Sequence, residues 1–326
     1  MSSTVFSAVK NEAPFLLEWV AYHRVIGFDQ VIIVSNDCTD HTVALLDALA
    51  AAGEVVHLPQ TVPEGASPQA AATALVNGAG LVKDGDWCIF LDSDEFLNIH
   101  AGEGRVADLV ERIGDYQAML INWRRFGDSG NASFPGRYVS EAFTRAETPF
   151  PEQTLVKTFF RKSERVAGFS PFLHRCALVP RKVRLSEIIN SAGNELHTAL
   201  KPRGRQNHRA WVKEGEHGWG RVWKDEMGYD IAQINHYMVR DPASFALKIL
   251  RGRGHVEAGA ENLRHTAEFY QKNNLNEAED CTILRWSGRV GEKIAALRRD
   301  PAVAAAALRA EQDYVAAVAR LGQPAG

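Results

Sequence analysis

Short apolar runs and longer helical patterns alternate through the first hundred residues of the chain. Thr4 to Val9 reads as a strand, and Ala13 to Ile26 sets Leu16, Leu17, Val20, Ala21 and Val25 at helical spacing. Val31 to Val34 is a compact β-branched run, the kind a parallel strand buried on both faces requires. Asp40 stands where a helix N-cap belongs, ahead of Val43, Leu45, Leu46 and Leu49. Glu54 to Leu58, Gln69 to Val82 and Trp87 to Leu91 continue as strand, helix and strand. Alternation this regular predicts an α/β architecture, a mostly parallel sheet flanked by helices.

The pattern changes near Met119. Ala118 to Trp123 is another strand, Phe126 to Gly130 is turn-rich, and segments near Tyr138 to Phe143 and Leu155 to Phe160 read as strands of mixed orientation. A polar stretch from Lys201 to Gly220 reads as a loop, and Ile231 to Ile234 is a short last strand running into Asn235-His236-Tyr237. Beyond Asp241 the pattern is helical, and Pro301 to Leu321 is Ala-rich with proline in its first turn. The expected organisation is a domain over 1–240, in halves 1–100 and 101–240, with a C-terminal helical region over 241–326.

With 45% hydrophobic and 24% charged residues the chain is an ordinary globular one. A net charge of -3 argues against a protein built to neutralise a nucleic-acid backbone, so no nucleic-acid partner is expected. Cys38, Cys88, Cys176 and Cys281 lie far apart without metal-ligand spacing and read as isolated buried thiols in a reducing compartment. No leader pattern or long apolar run is present, which gives a cytoplasmic expectation with peripheral membrane contact left open.

Lys10-Asn11-Glu12, Ser35-Asn36-Asp37 and Asp92-Ser93-Asp94 each follow directly on a strand. Ligands of open parallel sheets sit beyond the carboxyl ends of the strands, so the three clusters are expected to converge on one edge. Asp92 and Asp94, one residue apart in extended backbone, would point the same way. Paired carboxylates repel unless a cation lies between them, and hard oxygen ligands that half-fill a coordination sphere suit Mg²⁺ or Mn²⁺. A solvated acidic turn is the plainer alternative for such a pair.

Several of these segments, together with Glu18-Trp19, His23, Gly27-Phe28-Asp29 and Leu91-Asp92-Ser93-Asp94-Glu95-Phe96-Leu97, resemble family 2 glycosyltransferases. The likeness is strongest to the branch related to family 92 and the domain of unknown function 23. Trp123 with Phe126-Gly127, Lys157 to Arg161, Asn235-His236-Tyr237, Lys248 and Arg251-Gly252 extend it in order and spacing, from about Val5 to Gly254. The resemblance implies a GT-A (Rossmann-like) fold, a nucleotide-sugar donor, most often a uridine diphosphate sugar, a divalent metal, commonly Mn²⁺, and a glycan or glycoconjugate acceptor. The 1–100 half would then bind the nucleotide sugar and the 101–240 half the acceptor.

In that frame Asn11 and Glu12 would line the nucleotide pocket, and Asn36 and Asp37 would approach the base or ribose. Ser35-Asn36 departs from the Asp-Asp pair of the wider family 2 pattern. Asp92, Asp94 and His236 would hold the metal, with a packed core histidine as the alternative for His236. Lys248 and Arg251, on one helix face with Arg253 nearby, would grip a diphosphate, Arg251 bidentately; an ordinary solvated basic face is the alternative. Transfer with inversion needs a general base, for which Asp128 is the first choice and Glu141 and Glu152 are rivals. Glu95 would buttress the site, and His174 and His208 are weaker candidates for a direct role. Trp123, Trp211, Trp219 and Trp223 are candidates for sugar stacking or a lid, against the commoner reading of core tryptophans.

Two other classes share parts of this pattern. A sugar-nucleotide pyrophosphorylase-like nucleotidyltransferase would have a Gly-rich phosphate loop where Lys10-Asn11-Glu12-Ala13-Pro14 stands. A phosphatase with a nucleophilic aspartate would carry its pair near the start of the core, with Thr or Val in place of Phe96. A non-catalytic carbohydrate-binding protein would tolerate loss of the metal site.

Overall fold

The computed structural model describes residues 1–62, 65–134, 136, 138–172, 174–199, 211–213, 220–251 and 266–321. Four strands, β1 (Ser3–Val9), β2 (Gln30–Asn36), β3 (Val56–Gln60) and β4 (Trp87–Phe90), pair in the order β3-β2-β1-β4, all parallel. The connections are α1 (Ala13–Val25), α2 (Thr42–Ala51) and α3 (Pro68–Gly78), the crossovers a parallel sheet requires.

Beyond β4 the sheet becomes mixed. The strand Gln153–Arg161 runs antiparallel to β4 and to β6 (Ala118–Arg125). The strand Ala232–His236 then runs parallel to β6 and antiparallel to β5 (Glu95–Ile99). Two reversals return β6 and Ala232–His236 to the direction of β4. Their carboxyl ends therefore emerge on the same edge as Asp92.

Alternate residues of the strands feed two cores. Val5, Val31, Ile33 and Ile89 join Leu16, Val20, Leu45 and Leu49 on one face, while Phe6, Ile32, Val34, Cys88 and Phe90 meet Ala72 and Val76 on the other. The C-terminal helices Ser287–Leu297 and Pro301–Leu321 contribute Val290, Ile294, Leu297 and Val303 to the first of these cores. The helical extension thus closes one face of the sheet. No helix among the described residues is long and apolar enough to cross a membrane.

Some local expectations change. Tyr138 to Phe143 carries a short helix, Val139–Ala142, in place of a strand. The buried Glu18 carboxylate accepts bonds from Val139 N (2.6 Å), Ser140 N (3.0 Å) and Ser140 Oγ (2.8 Å), which fixes that turn. Asp40 does bind the first turn of α2, accepting from Thr42 N at 2.9 Å, although the cap position itself is His41. All four cysteines are free, but only Cys88 and Cys176 are buried; Cys38 is half-buried and Cys281 exposed. The Lys201 to Gly220 loop lies outside the described residues except at 211–213 and Gly220.

Asp280 ties the chain's C-terminal part to the sheet. Its carboxylate accepts from Arg124 Nη1 (2.6 Å), Gln233 Nε2 (2.7 Å), Thr282 Oγ1 (2.6 Å) and Thr282 N (3.0 Å). Burial alone would raise its pKa, but the bonds from Thr282 and Gln233 and the Arg124 charge hold it below the usual 3.8. A depressed folded-state value means that this stabilisation is complete above the unfolded value and is lost as pH falls through the folded one. Acid unfolding followed by circular dichroism is therefore expected to show a shallower loss of stability below about pH 4 in Asp280→Asn than in the wild type. Identical acid slopes would remove Asp280 from that role.

Candidate active site

The segment after β4 is a turn and not extended chain. Glu95 N donates to Asp92 O at 2.9 Å, and Asp92 N donates to Glu95 Oε2 at 2.9 Å, so the backbone folds back between them. This changes the expected geometry of the two aspartates. In place of pointing the same way, they diverge onto separate partners.

Asp92 turns toward the strand Gln153–Arg161. Lys157 Nζ donates to its Oδ2 at 2.8 Å, and Gln69 Nε2, from the first turn of α3, donates to its Oδ1 at 3.1 Å. About a third of the Asp92 side chain, 32%, remains exposed. Lys157 is 1% exposed; it also meets Glu95 Oε2 at 3.0 Å and lies 4.6 Å from the centre of the Phe90 ring. Burial would lower the lysine's pKa, but Asp92 and Glu95 together hold it above the usual value. The Glu95 carboxyl is pushed well above its usual range by burial, with Asp92 and Asp94 adding to the push against the opposing pull of Lys157. Glu95 is fully buried and its side chain closes the turn at Asp92 N.

Asp94 turns the other way. Its Oδ2 accepts from Lys248 Nζ at 2.5 Å, and its Oδ1 lies 3.4 Å from His236 Nε2. The sheet sets this juxtaposition: His236 pairs with Glu95 in register, and Tyr237 N donates to Asp94 O at 2.8 Å. Burial opposes ionisation of Asp94, but Lys248 and His236 outweigh it and hold its pKa well below the usual range. Burial, partly offset by Asp94, keeps the His236 pKa below its usual value, which leaves a neutral imidazole with a lone pair to offer. Trp123 packs edge-on to His236 with ring centres 4.2 Å apart.

These residues fit a divalent cation as a partial site. One ionised carboxylate oxygen and one neutral imidazole nitrogen face each other in a buried wall, with side-chain exposures of 8% and 6%. On the far side of the ring His236 Nδ1 and Glu95 Oε1, sealed from solvent and without a hydrogen bond, face each other at 3.8 Å, so a proton on Nδ1 would leave the Nε2 lone pair toward Asp94. Among the described residues no three His, Cys, Asp or Glu form a metal-binding group. A small octahedral cation commonly takes one or two protein ligands and fills its other positions with phosphate oxygens and water.

The other expected residues divide clearly. Glu12 is buried against Arg240, whose Nη1 and Nη2 both lie 3.4 Å from Glu12 Oε2 and whose guanidinium sits 3.7 Å above the Phe15 ring. Asn11 spans to Thr39, accepting from its N at 2.8 Å. Asn36 Nδ2 donates to Val9 O at 3.1 Å, and its Oδ1 accepts from Gln60. Both asparagines thus bind their own strand ends together, while Asp37 is exposed at the edge. Lys248 is at the site; the Arg251 side chain, Arg253, His208 and Trp219 lie outside the described residues.

Asp128 serves as a loop clamp. Its oxygens accept from Asn274 Nδ2 (2.6 Å), Tyr270 Oη (2.9 Å), Gly130 N (2.9 Å) and Asn276 Nδ2 (3.3 Å), which uses the lone pairs a general base needs. Glu141 sits on the short Val139–Ala142 helix. Trp211 is fully buried, donating to Cys176 O at 3.2 Å, and is a core residue. Sequence reasoning gave no role to Lys157, Gln69 or Arg240. The apolar setting of Lys157, in the run Leu155-Val156-Lys157-Thr158-Phe159-Phe160, was the available signal for one of them.

Removing one partner of a buried ion pair strands the other charge, at about 3–5 kcal/mol. Lys157→Met is expected to destabilise the fold by about that amount in chemical denaturation, and Glu95→Gln added to it should restore part of the loss. A loss below about 1 kcal/mol would mean that Lys157 does not hold the carboxylates in place.

The sequence matches a known family. Residues 5–209, well over half the chain, match glycosyltransferase family 92. A glycosyltransferase family 92 protein of Ricinus communis is 25% identical over 159 residues, 47% of this chain and 28% of that protein, so the match spans under a third of the relative's length. Among solved structures, TarS 1-349 of S. aureus aligns with 99% of this chain and 92% of its own at 14% identity and a TM-score of 0.34. HddC of Yersinia pseudotuberculosis aligns with 39% of this chain and 60% of its own at 12% identity and a TM-score of 0.28. On the sequence match, the chain belongs to glycosyltransferase family 92.

Proposed function

We propose that this chain is a metal-dependent glycosyltransferase that moves a sugar from a uridine diphosphate sugar to a hydroxyl of a glycan or glycoconjugate. The observation that carries the reading is the meeting of Asp94, His236 and Lys248 at the carboxyl-end edge of the sheet, beside the partly exposed Asp92. Family membership supports the reaction class. The donor is the one the sequence resemblance implies.

Asp94 and His236 would hold a Mn²⁺ or Mg²⁺ ion, which when bound offsets the charge growing on the departing diphosphate. The chain's own groups do the rest. Lys248 brings a positive charge to the same carboxylate, from a helix (Pro242–Arg251) that starts soon after His236. Its ammonium can serve a phosphate oxygen when a cation takes over Asp94. Arg240, buried over Phe15, adds a second positive charge that acts on Asp94. Lys157 and Gln69 fix the Asp92 carboxylate, leaving its exposed part to face the donor. Transfer with inversion passes the acceptor proton to a base. The bonding of Asp128 does not support it for that task, and Glu141 is kept as the candidate.

Thermal-shift and turnover assays test this together. Uridine diphosphate with Mn²⁺ is expected to raise Tm beyond either alone, and Asp94→Asn to remove the metal-dependent part. Turnover in Asp94→Asn should fall at least about a hundredfold, since the charge stabilisation at stake is several kcal/mol. Full turnover in the Asp92→Asn, Asp94→Asn double variant would sink the reading.

A further inference from the structure

His174 lies at this site and carries no role so far. It is half-buried in the stretch before the strand Cys176–Leu178, with its ring 5.3 Å from Trp123, on which His236 also packs. It hydrogen-bonds the backbone of Val156, the chain neighbour of Lys157, whose ammonium holds Asp92.

The side chain is held from several sides. His174 Nδ1 meets Val156 O at 2.9 Å, so Nδ1 is the protonated nitrogen and donates to that carbonyl. Its own carbonyl accepts from Thr158 Oγ1 at 2.8 Å. Gly220 lies against it so closely that a Cβ there would come within 2.6 Å of the His174 Cβ, and Gly220 O accepts from Val156 N at 2.7 Å. The strand that carries Lys157 therefore also fixes the tautomer of His174.

One polar atom is left over. Nε2 takes part in no hydrogen bond among the described residues, and the residue as a whole is half-buried. With Nδ1 committed as donor, Nε2 offers only a lone pair. Burial, reinforced by the Lys157 ammonium, pushes the imidazole pKa down to about 3, so it stays neutral at ordinary pH. A group held that far below neutrality is a weak general base but a sound hydrogen-bond acceptor. Beside the apolar face of Trp123, such an acceptor is suited to an O–H group on a ring with apolar C–H faces.

We infer that His174 is a specificity residue, whose Nε2 accepts a hydrogen bond from one hydroxyl of the donor sugar. This rests on the site being a nucleotide-sugar site. The sugar is assigned over the nucleotide because His174 packs on Trp123, as His236 does, and bonds the strand that carries Lys157, while Asn11, Asn36 and Asp37 lie along the other strand ends. Sites built to bond a substrate hydroxyl discriminate strongly against an analogue lacking it.

The test is a thermodynamic cycle measured by titration calorimetry with Mn²⁺ present. Probes are uridine diphosphate, UDP-glucose, UDP-galactose, UDP-N-acetylglucosamine, and singly deoxygenated forms of whichever sugar binds best. Proteins are the wild type, His174→Phe and His174→Gln. In the wild type, deleting one particular hydroxyl is expected to weaken binding about tenfold, one hydrogen bond's worth. In His174→Phe the intact sugar nucleotide should weaken by a similar factor, deletion of that hydroxyl should then cost nothing, and uridine diphosphate should be unaffected. His174→Gln, which keeps an acceptor, should recover part of the difference. If His174→Phe weakens uridine diphosphate and sugar nucleotides alike, or if every hydroxyl deletion costs the same in variant and wild type, the inference is overturned while the nucleotide-sugar reading stands. If the wild type binds none of these nucleotides, both fall. Should His174→Phe fail to fold, His174→Leu takes its place in the same cycle, with loss of the cost of that one hydroxyl supporting the acceptor role and an unchanged set of costs overturning it.

Discussion

Asp92, Asp94 and Glu95 crowd three carboxyl groups into four consecutive positions at the end of a buried strand, and they are tolerable there only because cations meet them. Lys157 stands between Asp92 and Glu95, Lys248 against Asp94, and Arg240 acts on Asp94 from beside Glu12. None of these cations is near the carboxylates in sequence. Each arrives on a different element, so the charge balance of the site depends on the whole sheet being in register. On the proposed reading an additional cation, with the phosphates it binds, would take over part of that balance.

Direction of travel through the sheet explains why the groups meet. The parallel half delivers β1, β2 and β4 to one edge, as expected of an α/β sheet. The antiparallel strand Gln153–Arg161 then crosses beside β4 and carries Lys157 toward the end of that strand from the opposite direction. A second reversal lets Ala232–His236 emerge beside the start of β5, in the pairing that sets His236 against Glu95 and Asp94. In physical terms the mixed half of the sheet supplies basic and imidazole groups to an acidic turn supplied by the parallel half. The proposed transfer, in which a diphosphate leaves, would use both.

Much of this was legible in the chain itself. The period of apolar residues placed the first four strands and the helices between them, and those elements are present. Asp92, Asp94 and His236 stand out at strand ends and Lys248 on the helix that follows, and the structure brings Asp94, His236 and Lys248 together. What was not legible depends on contacts distant in sequence. The Asp92 to Glu95 turn is closed partly by the Glu95 side chain, so strand alternation mispredicted where the two aspartates point. Asp128, a loop residue with a free-looking carboxylate, is claimed by Tyr270, Asn274 and Asn276 about 140 residues later, which no local pattern announces. Arg240 and His174 gain their settings from Glu12, Phe15, Val156 and Gly220, all far away along the chain.

The central claim is that Asp94 and His236 hold a catalytic divalent ion beneath a nucleotide diphosphate. Anomalous diffraction at the manganese edge, from crystals grown with uridine diphosphate and Mn²⁺, addresses it most directly. The expected result is one strong peak bonded to an Asp94 oxygen and His236 Nε2, with Lys248 withdrawn from Asp94 toward a phosphate. Nucleotide bound with Lys248 still on Asp94 and no manganese between that carboxylate and His236 would contradict it.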